Sequence, residues 1–279
     1  MHTPAAGPTT LALSLLIASP VSAEQWSLHY PQPPADAVRV TRDVQFGTAG
    51  SSPLAMDVYR PSGGGGPYPA VIFYKLYWPA EGPSERSTSD WYKSWARLAA
   101  ANGIVAILPD LRAEPGTGNA TSPARPLGDD FQSLLANVTA NARALGVDAD
   151  RIAVFAESGA VWAALPAVQD PAQAAVKAAV IYYGAANIET FRRDLPLLWV
   201  RAGLDSERAN ATITRLASLA ITQNAPVTLV NHPTGQHGFE GRDDNAVTRE
   251  VIEQTLAFIK RATTRELQAA IRQRPAAAR

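Results

Sequence analysis

From Ala70 onward the chain alternates short unbroken apolar runs with segments whose apolar residues recur every three or four positions. Unbroken runs suit strands buried on both faces, and the intervening helical period suits crossovers covering those faces, so the pattern calls for a parallel sheet. Strands are expected at Ala70–Tyr74, Ile104–Leu108, Ile152–Phe155, Ala178–Tyr183, Leu197–Ala202 and Val227–Asn231. Helices are expected on the spacings Trp91, Trp95, Leu98, then Phe131 through Leu145, then Ile213, Leu216, Ala217, Ala220, with a last one from about Ala246 to Ala262. Two earlier segments, Val38 to Phe46 and Leu54 to Tyr59, read as antiparallel-type strands joined to the rest by the loop 61–67, which Gly and Pro punctuate densely. That glycine run lacks the Lys-Ser/Thr ending of a phosphate loop. The fold class is α/β: a mostly parallel, doubly wound sheet of about eight strands with helices on both faces, in one domain.

Composition narrows the function classes. Twenty-five Lys and Arg balance 25 Asp and Glu, so no global field attracts nucleic acid or an anionic membrane. Without a single cysteine the chain has no disulfide, thiolate metal site or cysteine nucleophile. No His, Asp and Glu cluster has metal-ligand spacing, and no glycine fingerprint follows the first parallel strand, so neither a metal nor a nucleotide cofactor is expected. The run Leu11–Ala18, then Pro20 and Val21-Ser22-Ala23, has the form of a signal peptide cut before Glu24. It is shorter than the ~20 residues a membrane span needs. The expected organisation is a signal peptide over 1–23, a proline-bearing linker over 24–36, the folded unit over 37–263, and a polar tail over 264–279 that forms a frayed helix.

Ligands of such sheets bind outside the carboxyl ends of the strands, so chemistry is sought there. Ile152–Phe155 runs into Ala156-Glu157-Ser158-Gly159-Ala160, a strand, a serine-bearing turn and the start of a helix. This is the nucleophile-elbow pattern, in which a strained turn exposes the serine Oγ; alanine stands at both positions where glycine is usual. The alternative is a chance Ser-Gly turn, and order along the chain argues against it. An acid should follow on a later strand and a histidine after the next. Leu197–Ala202 leads into Gly203-Leu204-Asp205, and Val227–Asn231 into a loop carrying His232 and His237. The chain has four histidines, and the other two, His2 and His29, lie in the signal and linker segments. The base is therefore His232 or His237, and Asp205 is also placed to cap a helix before Ser206, either instead of serving as the acid or as well as it.

The stretch from Ala70 to Lys260 resembles the dienelactone hydrolase and prolyl-oligopeptidase-like branch of the α/β-hydrolases, whose last strand leads into a glycine-bearing loop ending in His-Gly-Phe. Gly235-Gln236-His237-Gly238-Phe239 fits that loop, and Arg201-Ala202-Gly203-Leu204-Asp205 and Pro109-Asp110-Leu111-Arg112 resemble the branch's acid loop and the loop after its fourth strand. The resemblance implies an α/β-hydrolase fold and a serine hydrolase cleaving carboxylic esters with Ser158, Asp205 and His237, without a cofactor; the signal-peptide pattern adds the expectation that it is secreted or periplasmic. A prolyl-oligopeptidase-like peptidase and a noncatalytic binding protein of the same fold are the alternatives. The oxyanion would take one N–H from Gly159 and a second donor from the loop after the third strand, where Tyr74-Lys75-Leu76-Tyr77-Trp78 replaces the usual glycines. Leu76 or Tyr77 would supply it, through a backbone N–H or the Tyr77 hydroxyl, unless the aromatic loop only packs. Trp78 is the expected pocket wall among Trp78, Trp91, Tyr92 and Trp95, with Trp95 in the core; Glu157 is either a functional neighbour of the serine or an exposed structural residue, and Lys75 has no assigned role.

Overall fold

The computed structural model describes residues 27–49, 52–77, 89–112 and 130–273. The segment 1–23, expected to be a signal peptide, and Trp78 therefore lie outside the described residues. The described residues form ten strands: β1 (Val38–Ala49), β2 (Ser52–Pro61), β3 (Tyr68–Phe73), β4 (Leu76–Tyr77), β5 (Val105–Pro109), β6 (Leu111–Arg112), β7 (Val147–Glu157), β8 (Val176–Tyr182), β9 (Leu197–Ala202) and β10 (Val227–His232). Eight of them form one sheet in the order β1-β2-β5-β3-β7-β8-β9-β10, while β4 and β6 pair separately. Only β2 is antiparallel to its neighbours, so β1 runs the same way as the six strands that follow.

The strands β3, β5, β8 and β9 are buried along nearly their whole length, as unbroken apolar runs require. The α-helices among the described residues are α1 (Asp90–Ala101), α2 (Asp130–Ala140), α3 (Ala142–Leu145), α4 (Val161–Gln169), α5 (Glu207–Thr222), α6 (Ala246–Ala262) and α7 (Arg265–Arg272). Successive side chains of a strand point to opposite faces, and two cores result. Ile72, Ile107, Val154, Ile181 and Trp199 pack with Leu134 of α2, Leu165 of α4 and Ile213 of α5. Their strand neighbours Phe73, Ala106, Phe155, Tyr182 and Val200 pack on the other face with Trp95 of α1 and Ile252 of α6. Trp95 is thus a core residue, as expected.

Three local readings change. The single helix expected over Phe131–Leu145 is two, α2 and α3, and the second stops at Gly146, whose φ of +72° no branched residue adopts cheaply. The C-terminal segment expected to fray is a capped helix: Thr264 Oγ1 accepts from Leu267 N–H, Ile271 is buried, and Gln268 donates to the carbonyls of Lys177 and Ala262. The linker, from Leu28 on, lies against the folded unit: Leu28 is buried and His29 N–H donates to the Glu240 carbonyl at 2.7 Å. Among the described residues no helix is long and apolar enough to cross a membrane.

Candidate active site

β7 delivers Ser158 to the carboxyl edge of the sheet, and α4 begins just beyond it. Ser158 has φ +47°, a left-handed conformation costing ~1–3 kcal/mol for a residue with a side chain. That strain lifts the hydroxyl out of the turn. Of the two flanking alanines Ala156 is fully buried within the core, and the chain crossing beside the turn is Gly184. A Cβ on Gly184 would stand 2.4 Å from Val161 Cγ2 and 2.6 Å from the Ser158 carbonyl oxygen. Replacing Gly184 by alanine is therefore expected to destabilise the fold by about 1–3 kcal/mol through overpacking against backbone. Chemical denaturation measures this, and an unchanged midpoint would show that the elbow tolerates a bulkier neighbour.

His237 arrives from the loop after β10. Phe239 is buried against Tyr182 and His232, and Gly238, at φ +77°, reverses the chain so that His237 can face out while Phe239 points in. Gln236 is pinned by Asp243, which accepts from both its backbone N–H and its side-chain amide at 2.8 Å. Asp205 follows β9, and its loop is stitched to the histidine loop by Gly203 N–H to the His232 carbonyl and Leu204 N–H to the Gly235 carbonyl. The approach is close enough that a Cβ on Gly203 would lie 2.3 Å from the Pro233 carbonyl oxygen.

These three elements bring the expected residues together. His237 Nε2 lies 2.7 Å from Ser158 Oγ, and His237 Nδ1 lies 2.6 Å from Asp205 Oδ2. Asp205 Oδ1 accepts from Ser206 N–H at 2.7 Å, while the helix cap is Ser206, whose Oγ accepts from Ala209 N–H. Asp205 is not the cap of α5. His232, the other candidate base, is fully buried, contacts Thr248 Oγ1 at 3.0 Å and is pushed down in pKa by burial, so it belongs to the scaffold.

A cleft of about 330 Å³ opens over this group, lined by Ser158, Gly159, Trp162, Gly184, Arg208 and His237 among others. Trp162, not foreseen from the sequence, stands half exposed at its wall. Trp91 and Tyr92 do not wall it: Tyr92 is buried among core residues on the α1 face, and Trp91 packs against that core. Gly159 sits in the first turn after the serine, where backbone N–H groups have no intrahelical acceptor. The backbones of Leu76 and Tyr77 form a parallel ladder with Leu111 and Arg112, and their side chains lie outside the described residues.

Glu157 is not exposed. It is buried, accepts from Tyr92 O–H at 2.7 Å and from Tyr183 O–H at 2.9 Å, and Tyr183 O also contacts Glu240 Oε1 at 2.8 Å. Burial raises the Glu157 carboxyl to about 7. It also lowers the Lys75 ammonium to about 8; that group lies 4.5 Å over the Tyr92 ring, on the side of Glu157. Sequence reasoning missed Tyr183 and Glu240 because neither stands in a recognisable motif.

Sheet order, elbow and histidine loop together define an α/β-hydrolase. The dienelactone hydrolase family model matches residues 58–263, and the chain belongs to that family, which makes it a hydrolase. Comparison with curated protein sequences returns no match. Similar solved structures include a bacterial heroin esterase, 16% identical over 82% of this chain and 86% of that one with a TM-score of 0.60. The hyperthermophilic esterase of the archaeon Pyrobaculum calidifontis is 20% identical over 84% and 86%, TM-score 0.60. Brefeldin A esterase, a bacterial homologue of human hormone-sensitive lipase, is 13% identical over 86% and 81%, TM-score 0.62. At these identities the likeness establishes the fold.

Proposed function

We propose that the protein is an exported serine hydrolase cleaving small carboxylic esters through an acyl-enzyme on Ser158. One observation carries this reading: the unbroken line from Asp205 Oδ2 through both His237 nitrogens to Ser158 Oγ, with each contact 2.6–2.7 Å. His237 Nδ1–H donates to Asp205, which leaves the Nε2 lone pair to accept the Ser158 proton as Oγ attacks the ester carbonyl. The protonated imidazole then donates to the leaving alkoxide. Water, deprotonated by the same nitrogen, releases the acid. Asp205 holds the tautomer and offsets the imidazolium charge, its second oxygen being fixed by Ser206 N–H.

The oxyanion that develops needs donors in place before reaction. Gly159 N–H is assigned as one and the Leu76–Tyr77 segment as the source of the other. A cleft of about 330 Å³ favours short acyl groups. Export rests on the Leu11–Ala18 run and the small residues up to Ala23.

The test is labelling of the protein by a fluorophosphonate, with the modified peptide mapped, alongside turnover of short-chain nitrophenyl esters. A phosphonyl adduct on Ser158 and measurable turnover are expected. A folded protein with neither would overturn the assignment.

A further inference from the structure

Beneath His237 lies an acid pair that the catalytic scheme does not use. Glu157 ends β7, Glu240 follows the histidine loop, and Tyr183 follows β8; the tyrosine oxygen bridges the two carboxyls at 2.9 and 2.8 Å. A phenol has one proton. With both carboxyls ionised, one of these short O···O contacts would hold no hydrogen, and two anions would share a site from which water is excluded. One acid therefore keeps its proton and donates it to the tyrosine.

The surroundings decide which. Glu157 already accepts from Tyr92 O–H, and the Lys75 ammonium lies on its side of the cluster. Glu240 Oε2, by contrast, is buried with no hydrogen-bond partner among the described residues. A bare oxygen of a neutral acid costs far less there than half of a carboxylate. The proton order is Glu240 O–H to Tyr183 O, Tyr183 O–H to Glu157, and Tyr92 O–H to Glu157. Burial and the Glu157 charge push the Glu240 carboxyl well above the usual range, in the same direction. The other groups with a charge or proton facing the cluster are Asp243 on the histidine loop, Tyr182 on β8, and the Asp205–His237 pair above; His232 is pushed toward its neutral form by burial.

What this anchors is the ring of Tyr183, whose centroid lies 4.6 Å from that of the His237 imidazole. The His237 side chain is 46% exposed, and its hydrogen bond to Ser158 must break in every cycle, so packing has to hold the ring when that bond is absent. We propose that Glu240 is a resident carboxylic acid that fixes Tyr183, and that Tyr183 is the positioning residue holding His237 between Asp205 and Ser158. This rests on the serine-hydrolase reading above.

The test uses the full chain and the variants Tyr183→Phe, Glu240→Ala, Glu240→Gln and Glu157→Gln, each read by kcat, KM and the rate of Ser158 labelling at pH 8. Tyr183→Phe and Glu240→Ala are expected to lower kcat and labelling by about 10–100-fold, the order of loss a misplaced base produces, with KM within about threefold. Glu240→Gln should recover most of the Glu240→Ala loss, because its amide N–H replaces the acid O–H and its carbonyl takes the place of the unpartnered oxygen. Glu157→Gln should not be tolerated in the same way, since it turns an acceptor of two phenols into a donor toward one of them. Full activity in Tyr183→Phe overturns the positioning role, and a tolerated Glu157→Gln with a crippled Glu240→Gln overturns the proton assignment.

Stability against pH reads the proton without reference to activity. A carboxyl raised in the folded state holds a proton that the unfolded chain releases near 4.5, so stability falls as pH rises above that value. Glu157, raised to about 7, and Glu240, raised well above its ordinary value, both contribute in this sense. Wild type should therefore lose stability as pH rises above 4.5, and Glu240→Gln should flatten that decline; the Lys75 ammonium, lowered to about 8, acts in the opposite sense above that pH and is common to both proteins. An unflattened decline overturns the resident acid even where Ser158 labels normally. A flattened decline in a protein that never labels at Ser158 keeps the acid and removes the esterase reading.

Discussion

Ser158→Ala is expected to lower kcat on a short-chain nitrophenyl ester by about 10⁶-fold, the scale of loss when the nucleophile of a serine triad is removed. The fold should survive. Ser158 Oγ makes one hydrogen bond, to a half-exposed imidazole, and alanine occupies φ +47° with no more strain than serine. Stability should stay within about 1 kcal/mol, and KM should change little, because cleft walls such as Trp162 and Gly184 are untouched. Residues acting as a unit are not additive, so adding His237→Ala to Ser158→Ala should cost almost nothing further. Initial-rate kinetics on purified variants measure both. A Ser158→Ala protein retaining even a hundredth of wild-type kcat would place the nucleophile elsewhere.

The sheet was legible because its central strands are buried on both faces, and burial writes an unbroken apolar run into the chain. Leu197–Ala202 falls on β9 itself, and the run at Ile152–Phe155 is the inner part of β7, whose outer residues include Asp148 and Asp150 and so leave no apolar mark. The break between α2 and α3 was not legible, since Phe131 through Leu145 keeps one apolar stripe across Asn141. At the site, Ser158 and Asp205 could be read from order along the chain, as each follows its own strand; order left His232 and His237 both open as the base, and the resemblance of the histidine loop favoured His237. The space the elbow needs could not be read from its flanks. It is supplied by Gly184, a residue on a neighbouring strand's exit whose importance exists only once β7 and β8 are paired. The acid pair was hidden for the same reason: Glu157 could be read either as a functional neighbour of the serine or as an exposed structural residue, and only packing brings Tyr92 and Tyr183 onto it and Glu240 onto Tyr183.

The second large effect is expected at Asp205, and the geometry specifies how it arises. In Asp205→Asn the Ser206 N–H still demands an acceptor, so the asparagine carbonyl takes the place of Oδ1 and its amide turns toward His237. The amide is a donor, and it holds the imidazole in the tautomer with a bare Nδ1 and a proton on Nε2. That proton then points at Ser158 Oγ, where a lone pair is needed. The hydrogen-bond lengths can all persist while the base is lost. A fall in kcat of about 10⁴-fold follows, with KM and thermal stability near wild type, and Ser158 labelling slowing in step. A loss below about tenfold at neutral pH would mean that Asp205 does not set the tautomer, and the role would pass from orienting the base to holding the β9 loop.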